Sequence, residues 1–356
     1  MDTRRLSKSI GWPGVPFAIA SAALFGASTP FAKLLLGEGT TPWLLAGLLY
    51  LGSGVGLGCI YVFQRARKLI PTEAPLRAAD IPWLLLIVIF GGVAAPVLMM
   101  VGLTTTSASS ASLLLNLEGL ATMTIAWVAF RENVDRRVLL GAAAILVGAI
   151  VLSFQAGAQG FGLGGLAIAA ACVAWGIDNN LTRKLSSADP LQISLIKGLV
   201  AGSVSLILAL LSGAHLSAPP IIIYAAIVGF FGYGLSLVFF VLGLRFLGTA
   251  RTSAYFSTAP FVGASLAVIA FGEPLTQHLI VAAALMMVGL YLHLAERHTH
   301  KHQHTAVEHE HRHFHDAHHQ HDTISTSGEA HSHWHRHEPI EHTHSHYPDL
   351  HHRHIH

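Results

Sequence analysis

Charged residues are scarce in this sequence. Asp, Glu, Lys and Arg make up 11% of its 356 residues, against about 25% in a typical soluble domain. The deficit lies in residues 1–295, whose long apolar runs exclude a soluble globular fold for that part. Cysteine is also scarce, and because Cys59 and Cys172 each lie inside an apolar run, a disulfide framework is excluded. Histidine is nearly absent from the same region, since 22 of the 25 histidines lie from His298 onward.

Catalytic motifs are missing as well. The sequence contains no clear nucleophile–base pair, no phosphate-binding glycine loop and no HExxH. We therefore do not expect an enzyme.

Long apolar runs dominate what is present. A helix that spans a bilayer needs about 20 apolar residues, and ten stretches approach that length. They are 14–36, 42–63, 81–103, 108–130, 139–154, 164–182, 190–211, 221–242, 250–271 and 275–294. The pattern predicts an all-α membrane protein with ten transmembrane helices, preceded by a short N-terminal segment, 1–13.

Basic residues indicate the orientation of these helices. Thirteen Lys and Arg residues fall before the first predicted helix or in alternate loops, Arg251 lies at the start of the helix after one of these loops, and the remaining loops hold almost none. Cytoplasmic loops carry the excess of positive charge. Both termini are therefore predicted to lie in the cytoplasm, in a multi-pass protein of the cytoplasmic (inner) membrane.

An internal repeat divides the apolar region into two units, 14–154 and 164–294. Residues 18–33 resemble 168–183 at an offset of 150, which aligns Gly26 with Gly176. Further along the offset is 141, and Gly91, Gly102, Phe130, Glu132 and Gly148 match Gly232, Gly243, Phe271, Glu273 and Gly289. Five helices per unit is an odd number, so the second unit enters the membrane from the opposite side. Inverted repeats are a transporter architecture, with the substrate site near the midplane between the halves.

Residues 107–152 and 249–292 carry a family resemblance. In the first, small residues open the fourth helix, a Glu follows it, and Gly141 and Gly148 lie in the fifth; the second has Ala259-Pro260 and Phe271-Gly272-Glu273-Pro274. On these features the chain resembles the EamA-type drug/metabolite transporter superfamily over about residues 14–294. The resemblance implies ten helices in two inverted five-helix repeats and the export of small metabolites, without fixing the substrate. One departure is that residues 116–119 read NLEG where the second copy reads STAP.

Polar residues inside the predicted helices are candidates for the substrate pathway, namely Glu118, Asn116, Trp175, Asp178, Asn179 and Lys197. A carboxylate at the bilayer centre costs about 2.5–3.5 kcal/mol on insertion scales, so Glu118 should face a cavity or a partner. It could carry a proton, or be a neutral or paired structural group. Asp178 and Asn179 could ligate a polar solute or cation, or lie in a solvated vestibule. Lys197 could pair with Glu118 or Asp178, or extend towards the interface.

The C-terminal segment, 296–356, is rich in histidine. Most of its histidines alternate with other residues in four clusters, made of His298, His300, His302 and His304; His309, His311, His313 and His315; His331, His333, His335 and His337; and His342, His344 and His346. The segment is too poor in apolar residues to fold alone, so we expect a disordered cytoplasmic tail. Imidazole suits Zn, Ni, Co and Cu, which predicts several weak divalent-metal sites. A purification tag and a merely solvating segment are the alternatives.

These patterns favour a secondary transporter that exports a small solute, with the tail as a metal sensor, buffer or loading platform. A dedicated Ni/Co or Zn efflux transporter is the first alternative. A membrane-tethered metal store or sensor without transport is the second. The expected partners are the lipid bilayer and a small-molecule or metal-ion substrate. No cofactor is expected in the membrane region and no nucleic acid partner is expected, and a monomer is the expected state.

Overall fold

The computed structural model describes the helical region over residues 14–67, 75–130, 136–154, 162–186 and 188–294. In the histidine-rich tail it describes 299–303, 307–313, 331–337 and 341–345. The N-terminal segment 1–13, Glu132 and several tail histidines lie outside these residues.

Helices make up both predicted units. The first contains α1 Gly14–Gly37, α2 Pro42–Ala66, α3 Ile81–Ile87, α4 Ala95–Thr105, α5 Ala108–Leu114, α6 Asn116–Phe130 and α7 Arg136–Phe154. The second contains α8 Leu163–Leu185, α9 Pro190–Leu211, α10 Pro219–Gly229, α11 Ser236–Phe256, α12 Ala259–Phe271 and α13 Gln277–Leu294. A 3₁₀ turn, Ala78–Asp80, precedes α3, and π-helical segments Val88–Ala94 and Phe230–Leu235 join α3 to α4 and α10 to α11.

Seven helical stretches of the described chain are long and apolar enough to cross a membrane. Helices α7 and α13 contain shorter apolar stretches, Leu139–Leu152 and Gln277–Leu292, and α8 carries Asp178, Arg183 and Lys184. Large apolar side chains such as Leu163 and Ile269 are exposed on the outside, as expected for a surface that contacts lipid. The structure thus agrees with a multi-pass helical protein, while the number of ten spans stays a prediction.

Side-chain caps explain why several helices begin where the sequence predicts. Thr41 Oγ1 accepts the Leu44 N–H ahead of α2, and Asp189 Oδ1 accepts the Leu191 N–H ahead of α9. Each of these caps is followed by a proline, which suits the first helical turn. Ser107 also caps a helix, because its Oγ accepts the Ser110 N–H at the start of α5.

Helix interiors depart from the prediction of uninterrupted spans. The two π-helical segments occupy matching positions of the repeat, since Gly91 and Gly232 align. A π-helical turn inserts an extra residue into the hydrogen-bond ladder and is common at functional sites. A second departure is that α11 continues without a break through the loop predicted between residues 242 and 250. The next break falls at Ser257–Thr258 instead.

The closest packing joins the two units to each other. Helix α2 packs on α9, α7 on α13, α1 on α11 and α12, and α8 on α4 and α6. Glycine makes the α2–α9 crossing possible, because a Cβ atom on Gly54 would lie 2.5 Å from the Leu199 nitrogen. Small residues at such crossings let helix backbones approach closely. The interior between the units is therefore the place where a site shared by both can lie.

Glu273 also joins the two units. It lies ahead of α13, which begins at Gln277. The Glu273 carboxylate accepts the N–H groups of Ala108 (2.7 Å) and Ser109 (2.8 Å) at the start of α5. The helix that Glu273 caps therefore belongs to the other unit.

Four short strands occur in the described part of the tail: β1 Thr299–Gln303, β2 Val307–His313, β3 His331–His337 and β4 Glu341–Ser345. They form two antiparallel pairs, β1 with β4 and β2 with β3. The all-α description therefore applies to residues 14–294. A disordered tail stays a prediction.

Candidate central cavity

A cavity lies between the two units, with about 420 Å³ of space that no atom occupies, part of it open to the outside. Its aromatic lining comes from both units and consists of Phe25, Tyr50, Trp175, Tyr233, Phe240 and Phe256. A second cavity of about 340 Å³ adjoins it and shares Phe25, Glu118 and Asn179. The cavity lies between the two units, where inverted repeats predict a substrate site; its role as that site stays a prediction.

Phe25 lies at the centre of the aromatic lining. Its ring centroid is 5.6 Å from that of Trp175 and 5.8 Å from that of Tyr233, both in edge-on arrangements, and 5.3 Å from that of Phe256. Such edge-on pairs stabilise one another through their ring quadrupoles. The rings form a packed aromatic wall along one side of the cavity.

Asp178 and Lys197 form a buried ion pair at the cavity. Lys197 Nζ donates to Asp178 Oδ2 at 2.6 Å, and Lys197 and Asp178 are 2% and 3% exposed. Thr182 Oγ1 lies 3.3 Å from the second carboxylate oxygen. Gly91 backs the carboxylate directly, so that a Cβ atom there would overlap the Asp178 side chain. The sequence left Glu118 and Asp178 open as partners of Lys197. In the structure, Lys197 pairs with Asp178.

Glu118 lies one turn beyond an interruption at Leu115, where α5 ends and α6 begins at Asn116. It is 7% exposed and lines both cavities. Its Oε1 accepts a hydrogen bond from Asn179 Nδ2 at 2.9 Å. Within the part of the chain that the structure describes, no cation forms an ion pair with it. Its carboxyl group is therefore the acidic group of the cavity that has no basic partner there.

Five of the six pathway candidates meet at this cavity, namely Glu118, Trp175, Asp178, Asn179 and Lys197. Asn116 does not join them. Its Nδ2 donates to the Leu113 carbonyl at 2.9 Å and lies 3.6 Å from Met286 Sδ, so it packs against α13 instead. The reason is the helical period, since residues two apart on a helix point to different sides. Whether the five act in transport stays a prediction.

Apart from Trp175, the aromatic lining of the cavity is absent from the sequence prediction. Tyr50 and Tyr233 lie in the middle of predicted spans, whereas tyrosine is enriched at membrane interfaces. Both are buried, and Tyr50 donates its hydroxyl proton to the Gly91 carbonyl oxygen at 2.6 Å, inside the π-helical segment. The position of these two tyrosines in the middle of predicted spans was the sequence feature that could have indicated them as lining residues.

Comparison with known proteins assigns the helical region to a family. Two successive matches to the EamA-like transporter family cover residues 12–154 and 162–295. The chain belongs to the EamA-like transporter family. Its two matched regions coincide with the two units of the internal repeat, and the family indicates a transport role rather than catalysis.

Individual relatives add little about substrate. An uncharacterized transporter from Methanothermobacter thermautotrophicus is 28% identical over 288 residues, which are 77% of this chain and 84% of the relative. A solved structure, described only as a crystal structure of a protein, superposes with a TM-score of 0.59 at 20% identity and covers 78% of this chain and 94% of its own. The structural likeness supports the fold alone.

Proposed function

We propose that this EamA-like protein is a secondary transporter that exports a small solute from the cytoplasm through the central cavity. The observation that carries the proposal is an aromatic-lined cavity between the two units that contains Glu118, an acidic side chain with no ion-paired basic partner among the described residues. Ionisable groups within a membrane are costly and mark substrate or proton pathways. Three such groups converge here from different helices, which favours a functional site over independent structural roles.

Glu118 is the group that we assign to coupling. A carboxyl group that faces a cavity can exchange a proton with whichever side of the membrane the cavity opens to. In this scheme the solute and the proton use the cavity alternately, and the proton gradient drives export. Glu118 holds the proton, while Asp178 and Lys197 fix the polar end of the cavity.

The Glu118→Gln variant tests this proposal. The new amide keeps an oxygen that can accept the Asn179 hydrogen bond, so the variant should insert and fold, but it cannot ionise. We expect export from cells, and pH-driven uptake into inverted vesicles, to be lost or uncoupled from the pH gradient. The exposed loop residue Glu38 provides the matched control, because Glu38→Gln makes the same chemical change away from the cavity. Wild-type transport with unchanged pH dependence in Glu118→Gln would assign Glu118 to structure.

The tail supplies the second part of the proposal, the binding of Zn, Ni, Co or Cu. In the β1–β4 pair, His300 is opposite His344 and His302 is opposite His342. Directly opposed residues share a face of an antiparallel ladder, as do residues two apart. The backbone register thus pairs histidine positions with one another in this strand pair, and imidazole is a ligand that such ions prefer. Tail histidines would hold the ion, and we propose that it signals cytoplasmic metal or loads it for export.

Metal as the cargo itself receives less support from the cavity. Ni and Co favour imidazole among protein ligands, and no group of three His, Cys, Asp or Glu that could hold a metal occurs in the described residues. The cavity contributes two carboxyl groups, and one of them is bound by Lys197. A small organic solute is therefore the cargo that we propose.

A further inference from the structure

The two strand pairs of the tail share one centre in the sequence. His300 is paired with His344, and each lies 22 residues from position 322. His313 is paired with His331, and each lies nine residues from the same position. The β2–β3 pair is therefore nested inside the β1–β4 pair, with a common antiparallel register. A common register describes one chain folded back on itself rather than two unrelated contacts.

At five positions of this register, histidine lies opposite histidine. The pairs are His300 with His344, His302 with His342, His309 with His335, His311 with His333 and His313 with His331. A slip of one residue in either strand pair would place a different residue type opposite every one of these histidines, whereas a slip of two would keep most of them opposed. The alternating spacing of the histidines therefore fits antiparallel pairing between clusters that are distant in the sequence.

Few other residues of these strands favour their pairing. Of the described strand positions, only Val307 and Trp334 are apolar. Glu308 opposite Arg336 is the one pair of opposite charge in the described register. A single two-stranded pair is marginally stable at best in water. The pairing therefore needs a further source of free energy, and the opposed histidines are the residues that can provide it.

Opposed positions of an antiparallel pair suit a shared metal ion. The Cβ atoms of directly opposed residues are about 4.5–5.5 Å apart, and imidazole nitrogens bind zinc at about 2.0–2.1 Å. Two imidazoles from opposite strands can therefore reach one ion between them. Residues two apart along one strand are farther from each other, at about 6.6 Å. Sharing across strands is thus the closer arrangement for two histidine ligands.

We propose that Zn, Ni, Co or Cu ions bridge opposed histidines of the tail and thereby fold it, so that each site is shared by clusters far apart in the sequence. The inference rests on the metal binding proposed for the tail and names the histidines that share an ion. Sites of this kind do not exist in the unfolded chain, so the free energy of ion binding becomes free energy of folding. Bound metal is then what holds β1 against β4 and β2 against β3.

The inner strand pair should bind metal before the outer one. Between His313 and His331 the chain has 17 residues, whereas between His302 and His342 it has 39. Closing a shorter loop costs less entropy, although the dependence on length is weak. Once ions bridge β2 and β3, strands β1 and β4 are already near each other, so the outer sites follow. The tail thus fills in a defined order as the metal concentration rises.

Histidine variants of the full-length protein in lipid nanodiscs distinguish shared sites from local ones. One triple variant replaces the β2 histidines and a second replaces the β3 histidines: His309→Gln, His311→Gln and His313→Gln; His331→Gln, His333→Gln and His335→Gln. We expect each to lose the same number of bound Ni ions in equilibrium dialysis, and the combined variant to lose no more, because both remove the same sites. The matched control combines the β2 changes with His342→Gln and His344→Gln in β4, and its losses should add. Losses that add for β2 with β3 would show that each cluster binds metal by itself, and would overturn the inference.

Spin labels test the folding directly. Thr299 and Ser345 are opposed in β1–β4, and both can be replaced by Cys for labelling on a Cys59→Ser background, because Cys59 is exposed and Cys172 is buried. Adding Zn should produce strong dipolar broadening between these labels. The control, Thr299→Cys with Ser332→Cys, joins positions that are not opposed and should show much less.

The outcomes separate the inference from the metal binding on which it rests. Uptake of Zn without broadening between positions 299 and 345 would overturn the inference and leave the tail as a metal-binding segment with local sites. A full-length protein that binds no more Ni or Zn than a protein ending at Arg297 would instead remove the metal role proposed for the tail, and the inference with it.

Discussion

The Asp178–Lys197 pair is a deeply buried charged contact of the described helices, and burial determines how it behaves when altered. Two charges withdrawn from water lose hydration free energy that their mutual attraction only partly returns. Removing one partner leaves the other charge buried and unpaired. Replacing both with neutral groups of similar size removes that penalty. The stability of single and double variants should therefore differ in a characteristic order.

We predict that Lys197→Met is less stable than the wild type by about 3–5 kcal/mol, the usual cost of stranding a buried charge. The double variant Asp178→Asn/Lys197→Met should recover most of that loss, because neither remaining group is charged. Thermal unfolding of the purified protein in one detergent measures both. Additive destabilisation in the double variant would show that the two residues do not act as a pair.

Individual residues of the cavity were predictable to different degrees. Glu118, Asp178 and Lys197 were recognisable from the sequence because charge inside an apolar run is costly wherever the helix is packed. Asn116 was grouped with them because it is close in sequence, but the interruption at Leu115 and the helical period point it towards Met286. The ring of aromatic side chains around Phe25 depends on which helices meet, and a single sequence does not contain that information.

At the scale of helices, close packing distinguishes glycines that look equivalent in the sequence. Gly54 and Gly58 belong to the same four-residue pattern in α2. A Cβ atom on Gly54 would lie 2.5 Å from the Leu199 backbone nitrogen, whereas on Gly58 its nearest neighbour would be the flexible end of Leu195, at 3.4 Å. Backbone cannot move aside as a side chain can. The two positions should therefore respond oppositely to the same substitution.

We predict that Gly54→Ala separates α2 from α9 and lowers the unfolding temperature, with a cost of about 1–3 kcal/mol for overpacking. Gly58→Ala should be neutral or stabilising by up to about 1 kcal/mol, because alanine favours the helix. Fluorescence-detected unfolding of the two variants side by side provides the measurement. Equal effects at both positions would contradict the crossing described here.

Helix boundaries and helix contacts differ in how far the sequence predicts them. The starts of α2, α5 and α9 follow from local capping residues, and the structure places them at the predicted positions. The π-helical segments and the cap that Glu273 provides for α5 were not predicted. Both depend on contacts between distant parts of the chain, which local patterns do not encode.

For the whole molecule, the distribution of basic residues remains the basis for orientation in the membrane. We predict that reporter enzymes fused at Ala156 and after His356 report opposite sides, with the C-terminal fusion in the cytoplasm. A fusion within the loop around Arg77 should agree with the C-terminal one, which controls for failed insertion. Signals from the same side at Ala156 and His356 would overturn the topology, and with it the cytoplasmic location of the tail.

The tail and the cavity hold different chemical groups, so their functions should be separable by deletion. Twenty-two histidines lie from His298 onward, while the cavity is aromatic and carboxylic. Deleting residues 298–356 should remove most Zn, Ni or Co binding by the purified protein and leave the maximal transport rate of an organic solute largely intact. If metal regulates transport through the tail, the truncated protein should also lose its response to added metal.

In the intact protein, metal binding should fall below about pH 6, because imidazole protonates near its ordinary pKa of about 6.5 and a protonated ring cannot ligate. Calorimetry on a peptide of residues 298–356 at pH 7.5 tests directly whether the tail binds these metal ions. A peptide that takes up none of them would leave the cavity as the functional site, with no role for metal.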